Sequence, residues 1–401
     1  MNNNRKYLVA LAAVLLMHGC ARDKDTAMVT DLLRDAKQKL APDRRTVVFD
    51  VRGELTGTML TLTGEVHSAG LKDQLLRYLK EQREYTIIDS LTVLPSPELG
   101  DRVYGLASQS VINLRTTPGH AAELCSQTLL GTPLKILKQD HDWSYVQTPD
   151  EYLGWVDDGL FQLNGEQYRH WLSRPKVIVT TEYGFVRSTR EPGSQPVSDI
   201  VAGNILALRA EAGMFYEVEY PDGRTGYLSR EAAEPYARWL ASANDTPAKI
   251  VATARRFIGV PYFWGGTSAK ALDCSGFTKT VYFLNGVLLP RDASQQALVG
   301  VPVTVADNFS GFEPGDLLFF GTKATPERRE KVTHVGISLG GGKFIHEGGD
   351  VRINSLDTND PEYSEPRHKS FLRAKRIIGA GEEYGIRRLR QLPEYTSHEN
   401  Q

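Results

Sequence analysis

A chain of 401 residues is longer than one hydrophobic core usually serves, so several domains are expected. Apolar residues make up 41% and charged residues 24%, ordinary for soluble globular protein. Against 49 acidic side chains stand 47 basic ones, a net charge of −2 that offers no basic surplus for nucleic acid, and that class of partner is set aside.

The chain opens with MNNNRKYLVALAAVLLMHGC: a basic start at Arg5 and Lys6, then an apolar run from Tyr7 to Met17 that is too short to span a bilayer. This is the layout of a secretory signal over residues 1–19. Cys20, directly after the small Gly19, resembles the cysteine of a bacterial lipobox, although Met17 and His18 depart from its usual residues. The resemblance implies lipidation at Cys20 and an exported, membrane-anchored lipoprotein of the bacterial cell envelope, with plain secretion as the alternative. Residues 20–45 then read as a tether with a short amphipathic helix near Met28–Leu40.

Residues 46–98 alternate as strand, strand, a helix from about Leu71 to Glu81, and a closing strand, which predicts a small α+β domain. The pattern is similar to the BON domains of envelope proteins, and a generic two-layer domain fits equally. Between 103 and 235 the sequence repeats with an offset of 72. Leu114-Arg115 falls on Val186-Arg187, Gly131 on Gly203, Val146 on Val218 and GWV (154–156) on GYL (226–228). Short β-rich runs broken by Pro and Gly predict two small barrels, 99–168 and 169–240, which resemble tandem bacterial SH3-like domains.

SANDTPAK (242–249) marks a boundary, with Asp245 or Thr246 capping a helix whose first turn holds Pro247. The last domain, 245–385, reads as that helix, then GVPYFWGG, then DCSGF opening a second apolar helix, then strands, ahead of a polar tail at 386–401. Apart from Cys20 the chain has two cysteines, Cys125 and Cys274. In an exported protein they are open to three readings: one disulfide, two inert thiols, or a nucleophile at Cys274. At a helix start the unpaired N–H groups favour a Cys274 thiolate. A proton acceptor is available in VTHVGISLGGGKFIHEGG, which reads as a hairpin turning at glycines 340–342. In that register residue 334 faces 348, and His334 and His346 project from one face. A cysteine with one imidazole beside it and a second polar group fixing the tautomer is the arrangement of a cysteine-protease triad. No H-E-x-x-H helix or clustered ligand spacing indicates a metal, and no cofactor is expected.

Taken together, PYFWGG, DCSGF, LPRD, PGDLLFF, THVGI and FIHEG resemble the NlpC-type cell-wall cysteine peptidases over most of 245–385. The resemblance implies a papain-like fold, Cys274 as nucleophile, His334 as base and His346 as the orienting residue. With two SH3-like domains ahead of it, the chain looks like the γ-D-glutamyl-L-diamino-acid endopeptidases, which cut peptidoglycan stem peptides beginning with a free L-Ala. That likeness implies a substrate pocket lined by Asp273, Ser275, Tyr262 and Arg291, with Glu123 and Tyr152 reaching in from the first barrel. Asp273 is open to two readings, a partner for the substrate ammonium or a helix N-cap, and Ala293 stands where the family often has a hydroxyl. The expectation is therefore a multidomain monomer: a small N-terminal α+β domain, two β-barrel SH3-like domains and a C-terminal α+β papain-like domain. Its expected partners are wall peptide and, through a lipid anchor, the membrane. The alternatives are a non-catalytic wall-binding lipoprotein, or an amidase or acyltransferase on the same fold.

Overall fold

In the computed structural model, residues 25–305 and 309–396 are described, so Cys20 and the signal-like segment lie outside the described residues. The chain divides into two units at Gly100 and Asp101. In the first, helix α1 covers 25–40. Strands β1 (Phe49–Thr56) and β2 (Met59–Val66) pair antiparallel. Helix α2 (Ala69–Gln82) then returns the chain so that β3 (Thr86–Val93) lies parallel to β2. Parallel neighbours require such a crossover. Ser68 caps α2 by accepting from Leu71 N–H at 3.2 Å, and Leu71, Leu75 and Leu79 recur on one face, buried with Leu33 of α1 and Leu60 and Leu62 of β2.

The second unit begins with the repeated modules. The first contains β4 (Tyr104–Ala107), β5 (Val111–Arg115), β6 (Leu124–Leu129), β7 (Pro133–Asp140), β8 (Trp143–Gln147), β9 (Leu153–Val156), β10 (Leu160–Leu163) and helix α3 (Gly165–Ser173). The second contains β11 (Lys176–Val179), β12 (Tyr183–Arg187), β13 (Pro196–Val201), β14 (Ile205–Ala212), β15 (Phe215–Glu219), β16 (Thr225–Ser229), β17 (Ala233–Pro235) and helix α4 (Tyr236–Ser242). Strands β4 to β8 meet β11 to β15 under the same offset of 72 residues seen in the sequence. The sheet orders coincide as well, β10-β4-β7-β8-β9-β5-β6 and β17-β11-β14-β15-β16-β12-β13.

The expectation of barrels is corrected here: each seven-stranded ladder is open at both ends. In the first module the open edge at β6 is taken up by the last domain. There Thr267 donates its hydroxyl to Gln127 O at 2.9 Å and its N–H to the Gln127 side chain at 3.1 Å. An edge strand covered in this way does not need its own sheet to close on it.

The last domain places helix α5 (Pro247–Arg255), the small ladder β18 (Thr267–Ser268) with β19 (Ala271–Leu272), and helix α6 (Cys274–Phe283) before its main sheet. Strand β20 (Val287–Leu288) and helix α7 (Ala293–Gln296) follow. The sheet is antiparallel, in the order β21-β26-β22-β23-β24-β25, from β21 (Val301–Val303), β22 (Leu317–Thr322), β23 (Lys331–Gly340), β24 (Lys343–Glu347), β25 (Val351–Ser355) and β26 (Phe371–Arg376). Helix α8 (Glu365–Ser370) links the last two. Phe277 and Val281 of α6 pack on Phe319, Val335, Ile337 and Ile345, one face of the sheet. Thr246, not Asp245, is the N-cap of α5, because Asp245 is drawn into an ion pair with Arg388 at 2.8 Å.

The polar tail expected after 385 is also corrected. β27 (Arg387–Arg388) pairs with β20, Leu389 is fully buried, Tyr395 is buried, and the Tyr236 hydroxyl donates to Tyr395 O at 2.9 Å. Its many arginines hid three spaced apolar residues, Leu389, Leu392 and Tyr395, that dock against α4 and α6.

Candidate active site

Cys274 is the first residue of α6, where backbone N–H groups lack intrahelical acceptors. Asp273 is the cap: its Oδ1 accepts the Gly276 N–H at 2.7 Å and its Oδ2 the Gly265 N–H at 3.0 Å. The same carboxylate takes both arms of Arg291, Nη1 to Oδ1 at 3.1 Å and Nη2 to Oδ2 at 2.6 Å, and the Ser275 hydroxyl at 3.2 Å. Arg291, only 1% exposed, also donates through Nη1 to Ser275 Oγ and through Nε to Ser126 Oγ of the first module, both at 3.0 Å.

The expected pocket lining is therefore corrected. Asp273, Ser275 and Arg291 form a buried, mutually satisfied cluster beside the cysteine, and the Asp273 oxygens are committed within it. Burial opposes the Asp273 charge, but the Arg291 guanidinium and the two backbone donors outweigh it and hold the carboxyl below its usual range. A buried pair this fully bonded is tolerated, whereas removing one partner strands a charge and costs about 3–5 kcal/mol.

The hairpin delivers the histidines. β23 and β24 pair Ile337 with Ile345 and Ser338 with Phe344, and a bulge before Gly340 leaves Gly341 and Gly342 to make the turn. Extending this register brings 334 opposite 348, the expected alignment, and both imidazoles onto one face. His334 Nε2 lies 2.8 Å from His346 Nδ1, and the rings meet edge to face at 4.9 Å. Two glycines make room for this contact. A Cβ on Gly336 would come within 2.9 Å of His346 Cβ, and one on Gly348 within 2.6 Å of His346 Cε1. Cys274 shares its core with Val335 and Ile337 of β23 and Ile345 of β24, and the backbone N–H groups of Val335 and Ser275 favour its charged form.

A fourth residue extends the line. His346 Nε2 is 2.9 Å from Asn354 Oδ1 on β25, and Asn354 Nδ2 donates to Glu362 O at 3.2 Å. Arg367 of α8 stands over the Phe320 ring at 5.9 Å, and that ring packs on His334 at 5.6 Å.

Electrostatics correct the expected thiolate. Burial and then the Asp273 carboxylate push the Cys274 thiol up to about 12, against the pull of its two backbone N–H donors and Arg291. Burial, Arg367 and His346 hold the His334 imidazole well below its usual value. Burial is also the main cause that brings His346 down to about 4, with Arg367 adding to it and the Asn354 contact opposing it. The resting pair is a neutral thiol beside a neutral imidazole. The helix start does not win because the sulfur is buried and because Asp273, the cap of that helix, adds a negative charge that opposes the thiolate.

On the rim, Tyr262, Phe263 and Trp264 of the expected PYFWGG segment are 39%, 49% and 61% exposed. Trp264 Nε1 donates to Glu123 Oε1 at 2.9 Å, so Glu123 of the first module is brought to this loop. Tyr152 is buried, and its hydroxyl donates to Asp292 Oδ2 at 3.1 Å. Ala293, next along, is buried. Cys125 and Cys274 are both free thiols, which removes the disulfide reading. Sequence reasoning missed Asn354, Arg367, Asp292, Gly336 and Gly348. Asp292, inside the quoted LPRD, Gly336, inside THVGI, and Gly348, closing FIHEG, stood within segments already singled out as motifs; Asn354 and Arg367 did not.

Comparison with known proteins follows the same lines. Residues 259–370 match the NlpC/P60 family, and residues 114–159 match the bacterial dipeptidyl-peptidase Sh3 domain. A Bacillus cereus protein named gamma-D-glutamyl-L-lysine dipeptidyl-peptidase is 30% identical over 261 residues, 61% of this chain and 74% of its own length. Dipeptidyl-peptidase 6 of Lysinibacillus sphaericus is 28% identical over 63% of this chain and 92% of its own. A solved NlpC/P60 family protein from Bacillus cereus shares the fold with a TM-score of 0.58 at 24% identity, over 69% of this chain and 99% of its own. Two matched modules and a relative aligned over most of its length make the chain a cysteine peptidase that belongs to the NlpC/P60 family.

Proposed function

We propose that this peptidase hydrolyses the amide between γ-D-glutamate and a diamino acid in peptidoglycan stem peptides that begin with a free L-Ala. The observation that carries this reading is the bonded pair His334–His346 on the hairpin that packs against α6, the helix that begins at the free thiol of Cys274. In the proposed reaction the Cys274 thiol proton passes to His334 as the sulfur attacks the γ-carbonyl carbon, so the imidazole acts as a general base on a neutral nucleophile. Backbone N–H groups at the start of α6 receive the developing oxyanion. His334 then protonates the leaving amine, and the C–N bond breaks to leave a thioester. Water, deprotonated by the same ring, adds to the thioester and releases the dipeptide with a restored thiol.

Support for the dipeptide end of the substrate comes from a carboxylate near the aromatic loop. Glu123, which accepts from Trp264 of that loop, is the candidate for the ammonium, because the oxygens of Asp273 are already bonded. We further propose that the protein works as an envelope lipoprotein held by Cys20. The non-catalytic wall-binding reading is disfavoured by a free cysteine set beside two bonded imidazoles.

Release of L-Ala-γ-D-Glu from the free-amine tripeptide L-Ala-γ-D-Glu-L-Lys tests the reading. Wild type should release it, and Cys274→Ala should lose roughly a thousandfold or more in rate. N-acetylation of the L-Ala should slow wild type by more than about tenfold. Cleavage by Cys274→Ala at the wild-type rate, or no cleavage by either protein, would overturn the proposal.

A further inference from the structure

We propose that Asn354 is a positioning residue that sets the direction of proton donation through both histidines, and thereby makes His334 Nδ1 the basic nitrogen. The hydrogen bonds around His346 fix the direction. The amide nitrogen of Asn354 donates to Glu362 O, so its Oδ1 must face His346 Nε2. An amide oxygen only accepts, so His346 carries its proton on Nε2. The neutral ring then has its lone pair on Nδ1, which accepts from His334 Nε2–H across 2.8 Å. A neutral His334 protonated on Nε2 has its lone pair on Nδ1. This is the tautomer that can take the thiol proton. Reversing any link puts a hydrogen on Nδ1 and blocks the transfer.

The placement of Asn354 is not a chance of sequence neighbourhood. β24 and β25 pair Phe344 with Asn354 and His346 with Arg352. Asn354 is therefore the diagonal cross-strand neighbour of His346 on the same face, close enough for a side-chain contact. With His346 down at about 4 chiefly through burial, its ring stays neutral under working conditions, and the direction of donation is set by hydrogen bonding rather than by charge. His346 alone cannot supply that direction, since either of its tautomers satisfies one bond to His334.

The inference rests on the proposed hydrolysis only for its kinetic readout. The spectroscopic readout stands without a substrate. In full-length protein labelled with 15N-histidine, wild type should show His334 and His346 both protonated on Nε2. Asn354→Leu, which has no acceptor, should show a mixture of tautomers at both rings. With L-Ala-γ-D-Glu-L-Lys, Asn354→Leu should lower kcat by about ten- to a hundredfold and leave KM within about twofold. Asn354→Asp keeps an acceptor at the same place. It should retain the tautomer and most of the kcat while moving the acid limb to higher pH, because a carboxylate favours the protonated ring. If Asn354→Leu does not fold, Asn354→Asp and Asn354→Val carry the same test by NMR. Unchanged ring tautomers in Asn354→Leu or Asn354→Val, or loss of the Nε2 tautomer in Asn354→Asp, would overturn the inference. A wild type that fails to cleave yet shows the Nε2 tautomers would overturn the substrate reading and leave this one standing.

Discussion

Cys274 and its first neighbours decide the chemistry, and their charges are set by position rather than by residue type. A helix start favours a thiolate, yet burial of the sulfur, and then the carboxylate of Asp273 that caps the same helix, drive the thiol up to about 12. Alkylation of Cys274 by iodoacetamide should therefore keep rising with pH through the neutral range. A plateau reached near neutrality, the mark of a preformed ion pair, would contradict this. Arg367 acts in the opposite sense on the base. Its positive charge disfavours the imidazolium, so Arg367→Met should raise the His334 pKa. Protonated His334 cannot act as base, so activity falls as pH drops, and in Arg367→Met that fall should begin at a higher pH. An acid limb that stays in place would remove Arg367 from the electrostatics of the site.

The β23–β24 hairpin is the element that turns two histidines into a relay, and it was the part of the site most legible in the sequence. Three consecutive glycines announced the turn, and alternation then placed 334 and 346 on one face. The bulge before Gly340 shortened the loop without changing that register. Asn354 was not legible, because its link to His346 runs diagonally across a third strand. The role of Asp273 as cap and ion-pair partner depended on Arg291, distant in sequence, arriving from another loop.

The same hairpin yields two predictions. Gly348→Ala would drive a methyl into the His346 ring, so kcat should fall by about tenfold or more with KM little changed. Glu347, fully buried beside it, is raised to about 7 by burial, and its Oε1 has no partner among the described residues. A carboxyl raised above its unfolded value favours the fold at low pH. That contribution is lost as pH rises through the folded value near 7. Glu347→Gln should accordingly raise Tm more at pH 8 than at pH 5, and an equal change at both would contradict the assignment.

Across residues 101–396, the modules are joined at the site itself. Arg291 bonds Ser126, Trp264 bonds Glu123, Tyr152 bonds Asp292, and Thr267 seals the edge of β6. The repeat was legible at this scale because one offset governed a whole module, and the docked tail was not, because its arginines masked Leu389 and Tyr395. Deleting residues 386–401 should lower Tm by more than about 5 °C, since three well-buried side chains, Ile386, Leu389 and Tyr395, are lost.

Rapid-quench mass spectrometry during turnover of L-Ala-γ-D-Glu-L-Lys shows whether the Cys274 sulfur becomes the acyl carrier with His334 as its base. One L-Ala-γ-D-glutamyl adduct is expected, mapped to the peptide containing Cys274 and absent from Cys274→Ala. Dipeptide release with no adduct at Cys274, or with the adduct on another residue, would contradict that role.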